Sequence, residues 1–550
     1  MLLMECANIK KYYGNRLILE VENFKIYTGD RIGVVGVNGA GKTTLIKIMS
    51  QRLKPDEGWV RLYTPCSFVS QFEAPYNKSI SKEMASRFSV PTTWSDNMSG
   101  GEKTRFKIAA CLSNNSPLIF ADEPTSNVDM EGIELMEKMF GECVGALVLV
   151  THDRYLLDKL CNKILFIDNG KIKIYKGNYS DFVSQNTEEK KRDHFEYEQY
   201  LTEKQRLENV IVKIKKRAKK INRTPKRMGI SEARLHKMGG QKGKANLEKA
   251  IKNVEKRIEH LEIKEKPKKQ EAIRLDIAHL DILHSKLVVE GKKVNKAFDD
   301  KIIFDDAEFS IYNGSKIALI GPNGCGKTTL LKMIIENEPS IKIASSVRMG
   351  YFSQDLNILD NNLTILENVM NSSIYKENFA RALLARLLFK REEVHKKVDM
   401  LSGGERVKVS FAKILLQDVN LLLLDEPTNY LDIKSIEVVE DAFKEYDGTL
   451  IFVSHDRKLV SSVANHIMTI DNHKINVFKG NYAEYLESIN TNQDTNKGEI
   501  QKQILVLENR LSEIIGKLSI ATKKEDISAF DCEYHEVLRK LKRLKKRLRK

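Results

Sequence analysis

The feature that most constrains the fold of this 550-residue chain is an internal repeat. One series of short motifs occurs twice in the same order, and late motifs such as Asp122 and Asp425 are 303 residues apart. Because a repeat with constant spacing encodes copies of one structural unit, the sequence predicts a duplicated domain. Early motifs such as Gly36 and Gly321 are only 285 residues apart, so the second copy is predicted to contain an additional segment.

Each copy contains a glycine-rich loop between an apolar run and an amphipathic segment. The first is Gly36-Val-Asn-Gly-Ala-Gly-Lys-Thr43 and the second is Gly321-Pro-Asn-Gly-Cys-Gly-Lys-Thr328. Such a strand–loop–helix unit is typical of phosphate binding, because glycines let backbone N–H groups close around phosphate oxygens at a helix N-terminus. Lys42 is expected to bridge the terminal phosphates, and Thr43 to coordinate Mg²⁺.

A second apolar run in each copy ends at a pair of carboxylates. The run before Asp122 and Glu123 is predicted to be a buried strand, and the run before Asp425 is its counterpart. An aspartate at the end of such a strand can reach the metal. The glutamate that follows it is placed to act as a general base for water.

Taken in order, these motifs resemble the nucleotide-binding domain of ATP-binding cassette (ABC) proteins. Each copy also has a Ser-Gly-Gly-Glu signature and a switch histidine after a third apolar run. A Q-loop glutamine precedes each signature, and the additional residues of the second copy fall between these two motifs. The resemblance implies an α/β fold with two P-loop domains that bind ATP with Mg²⁺ and hydrolyse it.

The resemblance also implies a role for each matching residue. The catalytic residues would be Glu123 and Glu426, with His152 and His455. The metal ligands would be Thr43, Gln71, Asp122, Thr328, Gln354 and Asp425. Tyr13 and Phe298 would stack on adenine, and the remaining contacts to ATP would come from Gly36, Asn38, Gly39, Gly41, Lys42, Thr43, Thr44, Gln71, Ser99, Gly100, Gly101, Gly321, Asn323, Gly324, Gly326, Lys327, Thr328, Thr329, Gln354, Ser402, Gly403 and Gly404.

In ABC proteins, the P-loop of one domain faces the signature of its partner. The resemblance therefore implies a head-to-tail sandwich with two composite ATP sites. The first P-loop would be completed by the signature that begins at Ser402, and the second by the signature that begins at Ser99. Closure would then be favoured with ATP bound and lost after hydrolysis.

The stretch between the two copies looks like neither of them. Apolar residues recur at steps of three and four from Leu207 and again from Leu247, which is the pattern of a coiled-coil seam. Residues 222–244 lie between these segments and contain Pro225 and several glycines, so an irregular, basic tip is predicted there. The sequence thus predicts an antiparallel helical hairpin. Its RNA-binding residues would be Arg223, Lys226, Arg227, Arg234 and Lys237.

The charge of the chain favours a polyanionic partner. The net charge is +16 and the pI is about 9.2, which suits nucleic acid or an anionic membrane surface. No apolar run reaches the roughly 18 residues of a membrane span, so a cytoplasmic protein is expected. Apolar residues that recur from Ile500 and from Phe530 predict a C-terminal helical hairpin with a basic end.

Among ABC proteins, the arrangement is similar to the ABC-F family of translation factors. An ABC transporter subunit would need a membrane partner and has no evident use for a basic hairpin between its cassettes. DNA-repair ABC ATPases of the excision type carry large insertions and zinc-binding cysteine pairs, and this chain has neither. The predicted domains are residues 1–183 (first cassette), 184–290 (linker hairpin), 291–486 (second cassette) and 487–550 (basic coiled-coil extension).

The resemblance to the ABC-F family implies a partner and a mode of action. The ATP-bound protein would enter the E site of the 70S ribosome, with the linker tip beyond the P-site tRNA near the peptidyl transferase centre of 23S rRNA. We expect a monomer with no membrane partner and no obligate protein subunit. With a compact helical subdomain in the first cassette, a long, irregular linker tip and a basic C-terminal extension, the chain resembles the resistance group that protects ribosomes from lincosamides, pleuromutilins and streptogramin A. The alternatives that stay open are a drug-independent factor that relieves stalled ribosomes, a DNA-associated ABC-F ATPase and a transporter ATPase subunit.

Overall fold

The structure is a computed structural model that describes residues 1–221, 230–261 and 285–489, except residues 72, 127, 299–300, 354–357 and 390–391. Beyond residue 489 it describes residues 491, 507, 511, 534–535 and 537–542. The description leaves out the side chains of residues 218 and 220–244. The chain divides into two compact units. The first is Met1–Ser81 with Lys107–Pro124 and Glu137–Arg274, and the second is Lys82–Phe106 with Thr125–Met136 and Leu275–Lys550.

The first copy of the repeat is an α/β domain. In chain order its elements are β1 (Leu2–Tyr13), β2 (Arg16–Tyr27), β3 (Arg31–Gly36), α1 (Lys42–Met49), β4 (Glu57–Leu62), β5 (Cys66–Val69), α2 (Lys82–Phe88), α3 (Gly100–Ser113), β6 (Leu118–Asp122), α4 (Met130–Glu142), β7 (Ala146–Val150), α5 (Arg154–Leu160), β8 (Lys163–Asp168) and β9 (Lys171–Lys176). Among the described residues of the first unit, nine strands form one sheet in the order β4-β1-β2-β9-β8-β3-β7-β6-β5.

The centre of this sheet is parallel and buried on both faces. β3 pairs with β7 and β8, and β6 pairs with β7, all in parallel register. These strands are continuous runs of apolar residues, as expected for strands covered on both sides. Helix α1 adds Leu45, Ile46 and Met49 to the same core. Because β3 and β6 are parallel neighbours of β7, their carboxyl ends bring the P-loop and the carboxylate pair to one edge of the sheet.

The linker begins directly after β9 as a long helix. Helix α6 (Tyr179–Ile221) has 43 residues and α7 (Ile230–Glu259) has 30. The predicted seam is present, because Leu207 and Ile211 are buried in α6. At the base of α6, Tyr179 and Phe182 pack in an aromatic cluster with Tyr175 of β9, which attaches the helix to the sheet.

The prediction of irregular structure up to residue 244 was wrong. The backbone is helical from Ile230, so Gly239, Gly240 and Gly243 lie inside α7. A glycine costs about 1 kcal/mol in a helix interior, far less than proline, and the flanking residues are good helix formers. Once a helix is nucleated, propagation across such positions is favourable. Only residues 222–229 of the predicted tip remain outside the described elements.

The second copy repeats the α/β plan. Its elements are β10 (Leu287–Phe298), β11 (Lys301–Tyr312), β12 (Lys316–Ile320), α8 (Lys327–Ile335), β13 (Ile341–Ile343), β14 (Met349–Phe352), α9 (Ile365–Met370), α10 (Glu377–Arg386), α11 (Gly403–Leu415), β15 (Leu421–Asp425), α12 (Ile433–Glu445), β16 (Thr449–Val453), α13 (Arg457–Val463), β17 (His466–Asp471) and β18 (Lys474–Lys479). In this part of the described chain, the strands form a sheet of order β14-β15-β16-β12-β17-β18 and an antiparallel sheet of order β11-β10-β13.

The additional segment predicted for the second copy is helical. Where the first copy has α2 before its signature, the second has α9 and α10 followed by two short 3₁₀ turns, Glu393–His395 and Val398–Met400. Ile365, Leu383 and Leu384 of this segment are fully or almost fully buried. Most of the predicted C-terminal hairpin lies outside the described residues. Residues 537–542, which the structure does describe, are helical.

None of the described helices combines the length and the apolar character that a bilayer span requires.

Candidate ATP sites

The first P-loop closes around the amino group of its own lysine. Lys42 is buried, and its Nζ donates hydrogen bonds to the carbonyl oxygens of Gly36 at 2.8 Å and Val37 at 3.4 Å. Gly41 precedes helix α1 with a φ of 97°. A side chain at this position would strain the left-handed backbone, so glycine is favoured. The turn brings the loop to the N-terminus of α1, where free N–H groups can bind phosphate.

The strand end beside this loop carries the predicted metal and base residues. The Thr43 hydroxyl donates to Oδ1 of Asp122 at 3.3 Å, and burial raises the pKa of Asp122. Glu123 has a φ of 47° and its N–H donates to the carbonyl oxygen of Val150 on β7. The backbone of a non-glycine residue is strained in the left-handed region, and strained residues of this kind recur at functional sites. Here this backbone conformation turns Glu123 out of the strand direction and toward His152.

Glu123 and His152 form a pair, with the Nε2 of the histidine 3.3 Å from Oε1 of the glutamate. Burial raises the pKa of Glu123 to about 8, and the nearby positive charge of Lys42 acts in the opposite direction. A carboxyl group with a raised pKa near the operating pH is suited to accept a proton from water. Glu123 and His152 therefore stay the predicted candidates for the base and the switch.

The second copy has the same arrangement. Lys327 Nζ donates to the carbonyl oxygens of Gly321 at 2.7 Å and Pro322 at 3.0 Å. Glu426 has a φ of 49°, and its Oε1 lies 3.2 Å from His455 Nε2. Burial raises the pKa of Glu426 to about 8. Burial, together with the charge of Lys327, lowers the pKa of His455 to about 4, so this histidine is neutral at physiological pH.

The residues present fit Mg²⁺ bound together with a nucleotide. The described side chains contain no cluster of three or more His, Cys, Asp or Glu residues that could hold a metal alone. Mg²⁺ prefers hard oxygen ligands and is usually bound by one or two carboxylates plus substrate phosphates. The contact between the Thr43 hydroxyl and the Asp122 carboxylate supplies oxygen ligands of this kind beside the P-loop. A bound Mg²⁺ would neutralise phosphate charge there.

Each signature begins a helix through a capping box. The Ser402 hydroxyl accepts from the N–H of Glu405, and the Glu405 carboxylate accepts from the N–H of Ser402. Ser99 and Glu102 make the same reciprocal pair at α3. These glutamates are not among the residues predicted from the sequence, although the spacing Ser-x-x-Glu before a helix is the signal of a capping box. The box fixes the N–H groups of the signature at a helix N-terminus.

The structure adds Asp129 to the second site. In the second unit, Asp129 Oδ2 accepts a hydrogen bond from the N–H of Asn323 in the second P-loop at 3.1 Å. Its Oδ1 accepts from the N–H of Gly132 and lies 3.6 Å from Arg105 Nη1. Asp129 is not among the site residues predicted from the sequence. The partner is 194 residues away along the chain, so local spacing carries no signal for it.

The remaining predicted residues divide into described and undescribed ones. Tyr13 and Phe298 end strands β1 and β10, and their side chains are 55% and 53% exposed, so both rings are accessible for stacking. Lys107 Nζ donates to the carbonyl oxygen of Gln71 at 2.9 Å, which holds the first Q-loop backbone. Gln354, and the side chains of all five predicted RNA-binding residues of the linker, lie outside the described part.

Comparisons with known proteins agree with this geometry. Two family models, each described as ABC transporter, match residues 19–71, 79–126 and 304–429 and residues 165–275, respectively. The second match spans most of the linker. ABC transporter F family member 5 of Arabidopsis thaliana is 30% identical over 575 residues, which cover 91% of this chain and 79% of the relative.

This chain belongs to the ABC-F family of ATPases.

Other ABC-F relatives match over most of their length. Ribosome protection protein VmlR of Bacillus subtilis (strain 168) is 29% identical over 555 residues, 98% of both chains. Energy-dependent translational throttle protein EttA of Escherichia coli (strain K12) is 30% identical over 86% of this chain and 93% of its own. The solved archaeal ribosome recycling factor aABCE1 has the same fold, with a TM-score of 0.58, 20% identity and coverage of 88% of this chain and 92% of its own. As an ABC-F ATPase, the protein binds and hydrolyses ATP.

Proposed function

We propose that this ABC-F ATPase is a ribosome protection factor. In its ATP-bound form it enters the E site of the 70S ribosome, and its linker tip acts near the peptidyl transferase centre to relieve inhibition by lincosamides, pleuromutilins or streptogramin A. The observation that carries the proposal is the similarity to VmlR over 98% of both chains, which includes the linker. The ribosomal target places the protein in the cytoplasm.

The linker has the length and charge that this role needs. Helix α6 extends for roughly 65 Å at 1.5 Å per residue, long enough to carry its distal end away from the sheet at its base. The last described turns are basic, with Lys213, Lys216, Arg217 and Lys219 all exposed. Such residues suit phosphate contacts that position an RNA-binding protein. We propose that Arg223, Lys226, Arg227, Arg234 and Lys237 extend this basic surface at the tip.

ATP hydrolysis is proposed to set the lifetime of the bound state. Lys42 and Lys327 hold the phosphates, and the capping boxes orient the signature N–H groups toward the γ-phosphate of the opposite site. Glu123 and Glu426 take a proton from the attacking water, while His152 and His455 keep the two carboxylates in position. Mg²⁺, when bound, supplies charge neutralisation at the phosphates. Loss of the γ-phosphate removes the contact that favours closure, so the linker is released.

The test expresses the chain in a susceptible Gram-positive host and measures inhibition by a panel of peptidyl transferase drugs. Sedimentation with ribosomes in ATP is measured in parallel. The variant Arg223→Gln/Lys226→Gln/Arg227→Gln is expected to lose resistance and keep its ATPase activity. The matched control Lys249→Gln/Lys252→Gln/Lys256→Gln removes the same charge from exposed positions of α7 further along the chain from the tip, and it is expected to retain most of the resistance. Wild-type protein that gives no resistance to any drug would contradict the proposal.

The similarity to EttA favours a second candidate, a drug-independent translation factor. The drug panel separates the two functions. A factor of this second kind would sediment with ribosomes in ATP and change growth or translation, with drug susceptibility unaltered. Failure to sediment with ribosomes at all would exclude both.

A further inference from the structure

The outer face of one edge of the first sheet is unusually aromatic. β4 is the edge strand and pairs antiparallel with β1. Every second position along β4 and the residue that follows it is occupied by Trp59, Arg61 and Tyr63. Their side chains therefore lie on the same face of the sheet. Trp59 is 46% exposed, Tyr63 is 45% exposed and Arg61 is exposed. These side chains are outside the core of the unit.

Strand β2 extends this face with a further aromatic residue and a further cation. Lys25 and Tyr27 alternate on β2, and Tyr27 is 44% exposed. Glu5 lies between the strands, where Lys25 Nζ is 2.7 Å from its carboxylate and the Tyr63 hydroxyl donates to it at 3.3 Å. The hydrogen bond and charge of Lys25 lower the pKa of Glu5. The only acidic side chain among these residues is thus already paired, and the Arg61 guanidinium gives the face a positive charge.

Local backbone features keep the Trp59 ring accessible. The residue opposite Trp59 on β1 is Ala7, whose small side chain leaves the ring uncovered. Gly58 sits at a register shift in this strand pair with a φ of 84°, and a Cβ there would lie 2.3 Å from the carbonyl oxygen of Asn8. Glycine is therefore required for β4 to approach β1 at this point. The Arg61 guanidinium lies 5.9 Å from the centre of the Trp59 ring.

In the described part of the second cassette, Tyr312 corresponds to Tyr27, and the edge strand lacks the aromatic residues. The strand that corresponds to β4 is β13, which has only three residues, Ile341–Ile343, and contains no aromatic residue. Lys342 of β13 pairs with Glu290 of β10. The fold can therefore be built without aromatic residues on this strand, so Trp59 and Tyr63 are not required by the sheet itself.

Exposed aromatic rings spaced along a strand, with cations between them, fit one class of partner. Single-stranded nucleic acids bind to such surfaces because bases stack on the rings and cations contact the phosphates. We propose that the face formed by Trp59, Arg61 and Tyr63, with Lys25 and Tyr27 beside it, binds unpaired nucleotides of RNA. The choice of RNA rests on the proposed ribosomal function, and the stacking surface itself rests on the structure.

The chain contains a built-in reporter, because Trp59 and Trp94 are its only two tryptophans. Trp94 packs edge-on against Phe106. In full-length Trp94→Phe, the emission therefore comes from Trp59 alone. We expect a short oligouridylate to quench this emission in a saturable way, and a duplex RNA of equal length, whose bases are stacked internally, to quench it much less. RNA bound only at the linker would leave this emission unchanged.

Variants then test the stacking geometry. Tyr63→Ala in the Trp94→Phe background is expected to weaken the quench-derived affinity by about 5-fold or more, since each stacked base contributes about 1–3 kcal/mol. Tyr312→Ala, an exposed aromatic residue of the second cassette, is the matched control and should leave the affinity unchanged. If Trp94→Phe is poorly folded, Trp59→Phe in the otherwise wild-type chain should abolish the RNA-dependent quench.

Three outcomes would overturn this proposal: no quenching by single-stranded RNA, equal quenching by the duplex, and quenching only by an acidic peptide, which would indicate a protein partner. Ribosome sedimentation of wild-type protein in ATP distinguishes this failure from failure of the proposed function. Protein that sediments with ribosomes but shows no Trp59 quench contradicts only the stacking surface. Protein that shows the quench but does not sediment contradicts the ribosomal role.

Discussion

The two cassettes have the same geometry at the predicted base and histidine, and different surroundings. The histidine–glutamate distances are 3.3 Å in the first and 3.2 Å in the second, and burial raises the pKa of both glutamates to about 8. Before the signatures, however, the first copy has the single helix α2, and the second has α9, α10 and two 3₁₀ turns. A site that binds and cleaves a phosphate requires a few groups, such as the histidine and glutamate, to be held within about 0.5 Å of a fixed geometry. Packing elsewhere requires only that apolar side chains be buried, so the helical segments can differ.

The largest effect is expected from the two bases, and it tests whether the sites are equivalent. Glu123→Gln and Glu426→Gln should each reduce phosphate release to a similar extent, because their geometries match. In the double variant, the rate of phosphate release should fall by about 10²–10⁴-fold, which is the usual contribution of a general base. The control is Glu134→Gln, at an exposed position on α4, and its rate of phosphate release should equal that of the wild type. Markedly unequal rates of phosphate release in the two single variants would contradict the equivalence of the sites and would assign them different roles.

The next effect concerns stability and compares the two helical segments. Phe88 of α2 and Leu384 of α10 are both fully buried. Replacement of either with alanine is expected to reduce the free energy of unfolding by about 2–5 kcal/mol, measured by chemical denaturation. Arg87→Ala, at an exposed position beside Phe88, should change it by about 0.5 kcal/mol or less. A small effect of Phe88→Ala alone would show that the shorter segment contributes little to stability.

A smaller effect is expected from the exposed aromatic residues at the ends of β1 and β10. If Tyr13 and Phe298 stack on adenine, Tyr13→Ala and Phe298→Ala should each weaken nucleotide binding by about 1–3 kcal/mol at the altered site. Binding of a fluorescent ATP analogue measures this. Tyr12→Ala is the matched control for the first site. If Tyr12→Ala weakens nucleotide binding and Tyr13→Ala does not, the adenine contact belongs to Tyr12. The two cassettes would then differ in the position of this aromatic residue.

The smallest effect concerns the capping boxes. Ser99→Ala and Ser402→Ala should each destabilise the signature helix by about 1 kcal/mol at neutral pH, as measured by hydrogen exchange of the helix amides. The hydrogen bonds from Ser99 lower the pKa of Glu102 from its ordinary value of 4.5. The stabilisation from this carboxylate is therefore complete above pH 4.5 and is lost as the pH falls through the lowered pKa. An undiminished difference between Ser99→Ala and wild type in acid would argue against the box.

Much of the catalytic site could be predicted because its residues belong to contiguous motifs. Lys42 and Thr43 lie in one loop, and Asp122 and Glu123 are adjacent at the end of one strand, so local motifs were enough to predict them as candidates. The contact between Asp129 and Asn323 was not predicted, because 194 residues separate the partners. The extent of the linker tip was predicted wrongly, because glycines in a sequence pattern do not reveal how cooperatively the neighbouring residues maintain a helix.

The sequence by itself determined that the chain has two copies of a P-loop domain, a helical linker between them and an additional segment in the second copy. Each of these follows from local order and periodicity, which are written along the chain. Only the tertiary structure decided that Glu123 and Glu426 turn into the left-handed region beside their histidines, that Asp129 reaches the second P-loop, and that Trp59 and Tyr63 share an uncovered face. These features depend on contacts between residues far apart in sequence and on which side chains packing leaves exposed, and neither can be read from spacing.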